Sequence, residues 1–141
     1  MSARVGINGF GRMGRLGLRA GWGCEGLEIV HVNEIAADAA GSAHLLTFDS
    51  VHGTWPVECA GEGDRLQVGG RRIGYSRNAA IGETDWSGCD LVIEAAGKFR
   101  RPEQLQAYFE RGVKKVLVAA PVEGALNVVY GVNDHLYDPS V

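Results

Sequence analysis

Three glycines, Gly9, Gly11 and Gly14, fall in Gly-x-Gly-x-x-Gly spacing within Arg-Val-Gly-Ile-Asn-Gly-Phe-Gly-Arg-Met-Gly-Arg at 4–15. The spacing lies where a short apolar run (Val5, Ile7) ends and a helical pattern begins. There each glycine answers a separate steric demand. Gly9 permits a tight turn off the strand, Gly11 lets the backbone approach a pyrophosphate, and Gly14 lets the helix lie close on the strand. The free N–H groups and positive dipole end of that helix would face the phosphates. A carboxylate stands where such a site needs one: Glu34, twenty residues past Gly14, follows the apolar run 27–32. Its two oxygens can accept both hydroxyls of an adenosine ribose, and its charge repels a 2′-phosphate. The chemistry expected of this set is the binding of a dinucleotide.

The other reactive side chains are dispersed. Cys24, Cys59 and Cys89 are odd in number and lack Cys-x-x-Cys spacing. They predict reduced thiols in a cytoplasmic setting, each a small buried hydrophobe, and no metal site. His44 is expected on the polar face of a helix, and His52 as a loop hydrogen-bonder in the turn 49–53. With 45% hydrophobic and 22% charged residues, the 141-residue chain has the composition of one soluble globular domain. A net charge of −3 gives no electrostatic footprint for nucleic acid or an anionic membrane. No apolar run approaches the ~18 residues that span a bilayer. The chain enters its first strand at once, so neither a signal peptide nor a transit segment is expected.

The elements that must position these residues follow from hydrophobic period. Residues 3–8 read as a strand. A helix is expected over 12–24, with Met13, Leu16, Ala20 and Cys24 on one face and the Gly21/Gly23 pair at its end. Residues 27–32 form a near-continuous apolar run, as a buried parallel strand does. A second helix is expected over 36–48, with Ala39, Ala43 and Leu46 inward. A short strand is expected over 55–59, and a hairpin over 65–75 turns at Gly69-Gly70. Another buried strand spans 90–95 and ends at Ala96-Gly97, where open α/β sheets bind ligands. Pro102 opens a helix running to Arg111, with Leu105, Tyr108 and Phe109 inward and Gly112 as its stop. Strands are expected at 114–119 and 127–130. The fold class predicted is α/β: a doubly wound, mostly parallel sheet with an inserted antiparallel hairpin.

Five segments then carry a family resemblance. They are Val-Gly-Ile-Asn-Gly-Phe-Gly-Arg-Met-Gly-Arg at 5–15, Val-Asn-Glu at 32–34 and Phe-Asp-Ser-Val-His-Gly at 48–53. Gly-Lys-Phe at 97–99 follows, then Gly-Val-Lys-Lys-Val at 112–116 leading to Ala-Ala-Pro. In this order, together with the final Val-Val-Tyr-Gly-Val-Asn, they resemble the N-terminal cofactor-binding domain of phosphorylating glyceraldehyde-3-phosphate dehydrogenases over essentially the whole length. The resemblance implies a Rossmann-type domain over 1–141, NAD as cofactor, and a place in glycolysis. It implies that Gly9, Phe10, Gly11 and Gly14 shape the pyrophosphate turn, and that the N–H groups of Arg12 and Met13 hold it. Asn33 and Glu34 would serve the adenosine ribose, with Glu34 where the family usually has Asp. Arg77 matches the position against the adenine, and also reads as a solvated hairpin-edge arginine. Ala96, Gly97, Phe99 and Ala119 would lie toward the inner end of the cofactor. Ala95-Ala96 replaces a hydroxyl pair and Ala119 a Ser or Thr, so contacts there would come from the backbone.

Two branches of the family share further features. Glu34 and the Ala-rich run after it resemble the erythrose-4-phosphate dehydrogenase branch. Ala-Ala-Pro-Val and Gly-Val-Asn-Asp-His-Leu-Tyr-Asp-Pro resemble bacterial enzymes associated with arsenical resistance, which implies arsenate in place of phosphate. The family's chemistry needs a thiolate nucleophile and a histidine base. No Ser-x-x-Cys-Thr-Thr-Asn-Cys segment occurs here, and none of His31, His44, His52 and His135 matches the base. The chain is therefore expected to be a fragment or one part of a split enzyme, without the catalytic domain and inactive alone. Its expected partners are the dinucleotide, the rest of the parent enzyme and further copies of itself. Without the C-terminal helix that in this family packs back onto the cofactor domain, an apolar groove is expected on one face of the sheet, and such a patch promotes association. A free-standing NAD-sensing module and a partner-binding fragment with a degraded site are the competing readings.

Overall fold

In the computed structural model, which describes residues 2–140, nine strands and three α-helices follow one another along the chain. Strand β1 (Ala3–Asn8) leads through helix α1 (Arg12–Gly21) to β2 (Leu27–Asn33), and then to α2 (Ala39–Thr47). A two-stranded ribbon, β3 (Phe48–Asp49) with β4 (Gly53–Thr54), precedes β5 (Cys59–Glu62), β6 (Arg65–Val68) and β7 (Arg71–Ser76). The chain then crosses to β8 (Leu91–Glu94), α3 (Pro102–Glu110) and β9 (Lys115–Val118).

The sheet order is β5-β6-β7-β2-β1-β8-β9. Five neighbouring strands, β7-β2-β1-β8-β9, run parallel, and β5 and β6 add antiparallel to one side. The strand order reverses between β1 and β8, so the crevice beyond their carboxyl ends is the switch point where such sheets bind ligands. Both faces are covered. One core joins Val5 and Ile7 of β1 to Leu18 of α1 and Ala39, Ala43 and Leu46 of α2. The other joins Val92 of β8 to Trp86 and to Leu105 and Tyr108 of α3. Each fully buried side chain of this size stabilises the fold by about 1.5–3 kcal/mol.

Local chemistry accounts for the boundaries. Asp38 caps α2 by accepting the Gly41 N–H at 2.8 Å. Gly69 and Gly70 both take positive φ (55° and 85°), which matches the turn twist to the β6–β7 hairpin. Gly112, at φ 90°, ends α3 and lets Val113 N–H reach the Tyr108 carbonyl.

Five expectations are corrected. Residues 55–59 are not a strand: Pro56 has no N–H to give a ladder, and pairing starts only at Cys59. Residues 127–130 are not a strand either. The Asn133 side chain takes up the Val129 N–H and the Asn127 carbonyl, and Asn127 is turned back on Val122, so local polar groups replace a ladder. Helix α1 stops at Gly21 and buries Gly14 and Leu18, leaving Met13 exposed. Phe109 is exposed; Leu105 and Tyr108 are the buried residues of α3, with Ala107 partly buried beside them. Of the cysteines, all free, only Cys89 is buried, and burial pushes its thiol up to about 11.

Close packing between α2 and the β5 edge yields a test. A Cβ at Gly61 would lie 2.0 Å from the Ala39 carbonyl oxygen, whereas one at Gly17 in α1 would meet nothing within 4 Å. Gly61→Ala is expected to cost about 1–3 kcal/mol in a urea melt. Gly17→Ala is expected to gain about 0.4–1 kcal/mol through the unfolded state.

Candidate dinucleotide site

The turn from β1 to α1 is built of backbone lying on backbone. Gly9 sits at φ 93°, and a Cβ there would fall 2.4 Å from the Ala96 nitrogen at the tip of β8. A Cβ on Gly14 would fall 2.1 Å from the Gly9 carbonyl oxygen. Gly11, by contrast, faces open space. The first intrahelical bond of this end is Arg15 N–H to Gly11 carbonyl at 3.0 Å, and no side chain caps the helix. The N–H groups of Arg12, Met13 and Gly14 thus have no intrahelical acceptor and point out of the helix end. This is a ready anion seat.

Glu34 locks the neighbouring strand tip to this turn. Its Oε1 accepts the Phe10 N–H at 2.7 Å and its Oε2 the Ala36 N–H at 2.8 Å. Each oxygen keeps a further lone-pair direction. Phe10 therefore contributes backbone to the crevice; its ring is buried in the core. The Arg12 guanidinium turns away to Asp49, 3.2 Å off, leaving the helix end to its amides. The His52 amide first, then the Val51 amide and Arg12, hold the Asp49 carboxyl below the usual range.

Two cavities flank the turn. One, about 220 Å³, lies toward β2 and is lined by Gly9, Asn33, Glu34, Ala79, Lys98 and Phe99 among others. Arg77 stands outside its wall, donating to the Ile35 carbonyl at 3.0 Å. The second, about 200 Å³, lies toward β9, with Met13, Glu94, Ala95, Gly97, Phe99 and Ala119 in its wall. Phe99 lines both, and Ala96 lines the first. The residues singled out in the sequence therefore gather around one corner, with Arg77 at its rim.

Beneath the corner runs a buried polar seam that the sequence reading did not identify. Asn33 Nδ2 donates to Asn8 Oδ1 at 2.9 Å, and Asn8 Nδ2 donates to Glu94 Oε1 at 2.8 Å and to the Tyr108 hydroxyl at 2.9 Å. The Tyr108 hydroxyl donates to Glu94 Oε1, and the Ala96 N–H donates to Glu94 Oε2 at 2.9 Å. On the other side, Asn33 Oδ1 accepts from the Ser76 hydroxyl at 2.6 Å and the Asn78 N–H at 2.9 Å. Ser76 meets His31 Nε2 at 2.7 Å, and burial lowers the pKa of that histidine. The tips of β7, β2, β1 and β8 are thereby tied together. The signal for this seam was polar residues, Asn8, Asn33 and Glu94, closing otherwise apolar runs.

With this geometry in hand, comparison with known proteins is specific. The family model described as glyceraldehyde 3-phosphate dehydrogenase, NAD binding domain, matches residues 3–102. Glyceraldehyde-3-phosphate dehydrogenase 3 of Nostoc sp. is 56% identical over 142 residues, covering 99% of this chain and 42% of that protein. Glyceraldehyde-3-phosphate dehydrogenase of Geobacillus stearothermophilus is 41% identical over 145 residues, with 99% and 42% coverage. The cytosolic enzyme of Chlamydomonas reinhardtii is 38% identical over 139 residues, with 97% and 41% coverage. The chain thus spans about two fifths of the length of these relatives. This chain belongs to the glyceraldehyde-3-phosphate dehydrogenase family of NAD-binding domains.

Proposed function

We propose that this chain is the cofactor-binding part of a phosphorylating glyceraldehyde-3-phosphate dehydrogenase. In this reading NAD lies across the turn at Gly9, Gly11 and Gly14, with the adenosine toward Glu34 and the nicotinamide toward Met13 and Ala119. The observation that carries it is Glu34: its carboxylate is fixed by two backbone amides beside the uncapped end of α1. The residues present fit the group. The cradle at Gly9 and Gly14 has no room for a side chain, and Gly11 is open.

The roles follow from this placement. The N–H groups of Arg12 and Met13 hold the pyrophosphate, and the remaining lone pairs of Glu34 accept ribose hydroxyls. Asn33 acts through the seam, holding the β2 tip in register with β1. Arg77, steadied by the Ile35 carbonyl, edges the adenine. Ala96, Gly97, Phe99 and Ala119 offer backbone and apolar surface at the inner end. NAD, when bound, supplies the acceptor for a hydride.

The aldehyde chemistry is assigned to the rest of the parent enzyme, this chain's partner. No cysteine or histidine lines either cavity beside the turn. Burial raises the pKa of both Cys59 and Cys89, which makes them poorer nucleophiles. A cytoplasmic location accords with the name of the algal relative. Among the described residues no helix is long and apolar enough to cross a membrane. Exposed apolar side chains at Met13, Leu117, Leu126 and Val129 border a groove of about 490 Å³ beside β9 and support self-association of the isolated chain.

Three outcomes are expected. Glu34→Ala weakens NAD by about 1–3 kcal/mol in calorimetric titration; an unchanged affinity would leave Glu34 the smaller role of pinning the turn. The purified chain binds NAD yet forms no NADH when given glyceraldehyde 3-phosphate and phosphate; turnover would sink the assignment of catalysis elsewhere. Sedimentation equilibrium shows species heavier than the 15.1 kDa monomer at high concentration, and a clean monomer counts against self-association.

A further inference from the structure

Glu94 is the one charged side chain of the seam that also reaches a cavity wall. It closes β8, is 2% exposed, and borders the β9-side cavity. The rest of that wall is apolar or backbone, save Arg100, whose side chain lies out in solvent. No ion pair among the described residues includes Glu94. Three donors hold it instead: Asn8 Nδ2 and the Tyr108 hydroxyl at Oε1, and the Ala96 N–H at Oε2.

That donor set suits a carboxylate. Tyr108 already accepts from Asn8 at 2.9 Å, so its own proton needs Oε1 as acceptor. Two donors fill Oε1 and a third is aimed at Oε2, so three of the four lone-pair directions of the carboxylate are already taken. Burial works the other way, pushing the Glu94 carboxyl up, while Tyr108, Ala96 and Asn8 draw it back down. An unpaired charge held this way in a dry wall acts on whatever occupies the cavity, with little screening by water. The two redox forms of a nicotinamide ring have nearly the same shape and differ by one positive charge.

We propose that Glu94 sets the redox preference of the site, its buried charge holding the oxidised, cationic nicotinamide ring more tightly than the reduced, neutral one. Glu94 acts at a distance and takes no part in hydride transfer. The inference rests on the NAD reading above and adds to it the form of the cofactor that is preferred.

The test compares dissociation constants of the full chain for NAD⁺ and NADH, before and after Glu94→Gln. The amide keeps the shape, can accept from the Ala96 N–H, and can donate to Tyr108. The ratio Kd(NADH)/Kd(NAD⁺) is expected to fall by about tenfold, the scale for one unit charge acting through partly screened protein. A purely structural role weakens both forms by the same factor; an unchanged ratio overturns the inference. Should Glu94→Gln fail to fold, the native chain decides the matter with ADP-ribose, NAD⁺ and NADH. NAD⁺ is expected to bind tightest of the three, and NADH binding as tightly as NAD⁺ overturns the proposal. Failure of ADP-ribose and both dinucleotides to bind removes the NAD reading itself, and this inference with it.

Discussion

Backbone packed directly on backbone at Gly9 and Gly14 is the constraint on which the binding corner depends. A Cβ at either position would lie 2.4 Å or less from main-chain atoms of a neighbouring element. Only glycine allows α1 to start this close to β1, and that closeness aims the unpaired amides of the helix end at the switch-point crevice. The dipole of the helix then adds to the amides at the same place. Had the helix stood off by the width of a methyl group, the amides and the Glu34 carboxylate would no longer share one corner. The Phe10 N–H, which Glu34 accepts, belongs to the same turn. One steric condition therefore sets both the uncapped helix end and the orientation of the Glu34 carboxylate beside it.

The corner is kept in place from below by the polar seam. Parallel strands meet through hydrogen bonds that say little about how their last residues splay. Here Asn33, Asn8 and Glu94 fix three adjacent tips side to side, and Tyr108 anchors the seam to α3 on the far face. Buried polar groups are costly unless satisfied. Among the described residues no buried side-chain nitrogen or oxygen lacks a partner. The seam is therefore not a source of large net stability; its effect is specificity, since sliding one strand past another would orphan several of these groups at once.

The glycine turn, the carboxylate at the β2 tip and the alternation of strands and helices were legible because each rests on a local rule. Gly9 is marked by its positive φ and Gly14 by the Gly9 carbonyl five residues back, and Glu34 by its place at the end of an apolar run. The hairpin at Gly69-Gly70 is equally local. What escaped depends on distant neighbours. The Asn8–Glu94 and Asn8–Tyr108 contacts join residues 86 and 100 positions apart, and nothing in the spacing of an isolated strand reports them. Apolar period also misled where a surface is unpartnered: Met13 and Phe109 look like inward residues yet lie exposed. Hydrophobicity says that a side chain has something to gain from burial; it does not name the surface that buries it.

The alanines of the site follow from the same division of labour. Ala95, Ala96 and Ala119 bring no side-chain hydrogen bonds, and their N–H groups are spent within the fold. Ala96 N–H is already committed to Glu94, and Ala119 N–H to the Glu94 carbonyl. The proposed grip on a diphosphate comes from main-chain amides and from missing side chains, and neither is altered when a hydroxyl becomes a methyl group. Discrimination between ligands is another matter, because amides treat similar diphosphates alike. In the proposed reading it falls to the two carboxylates at opposite ends of the crevice. Glu34, part-exposed, borders the cavity toward β2; Glu94, buried, borders the cavity on the far side. A site held by its backbone in this way can exchange its hydroxyls for methyl groups and still keep its selectivity, provided those two charges stay where the strands have put them.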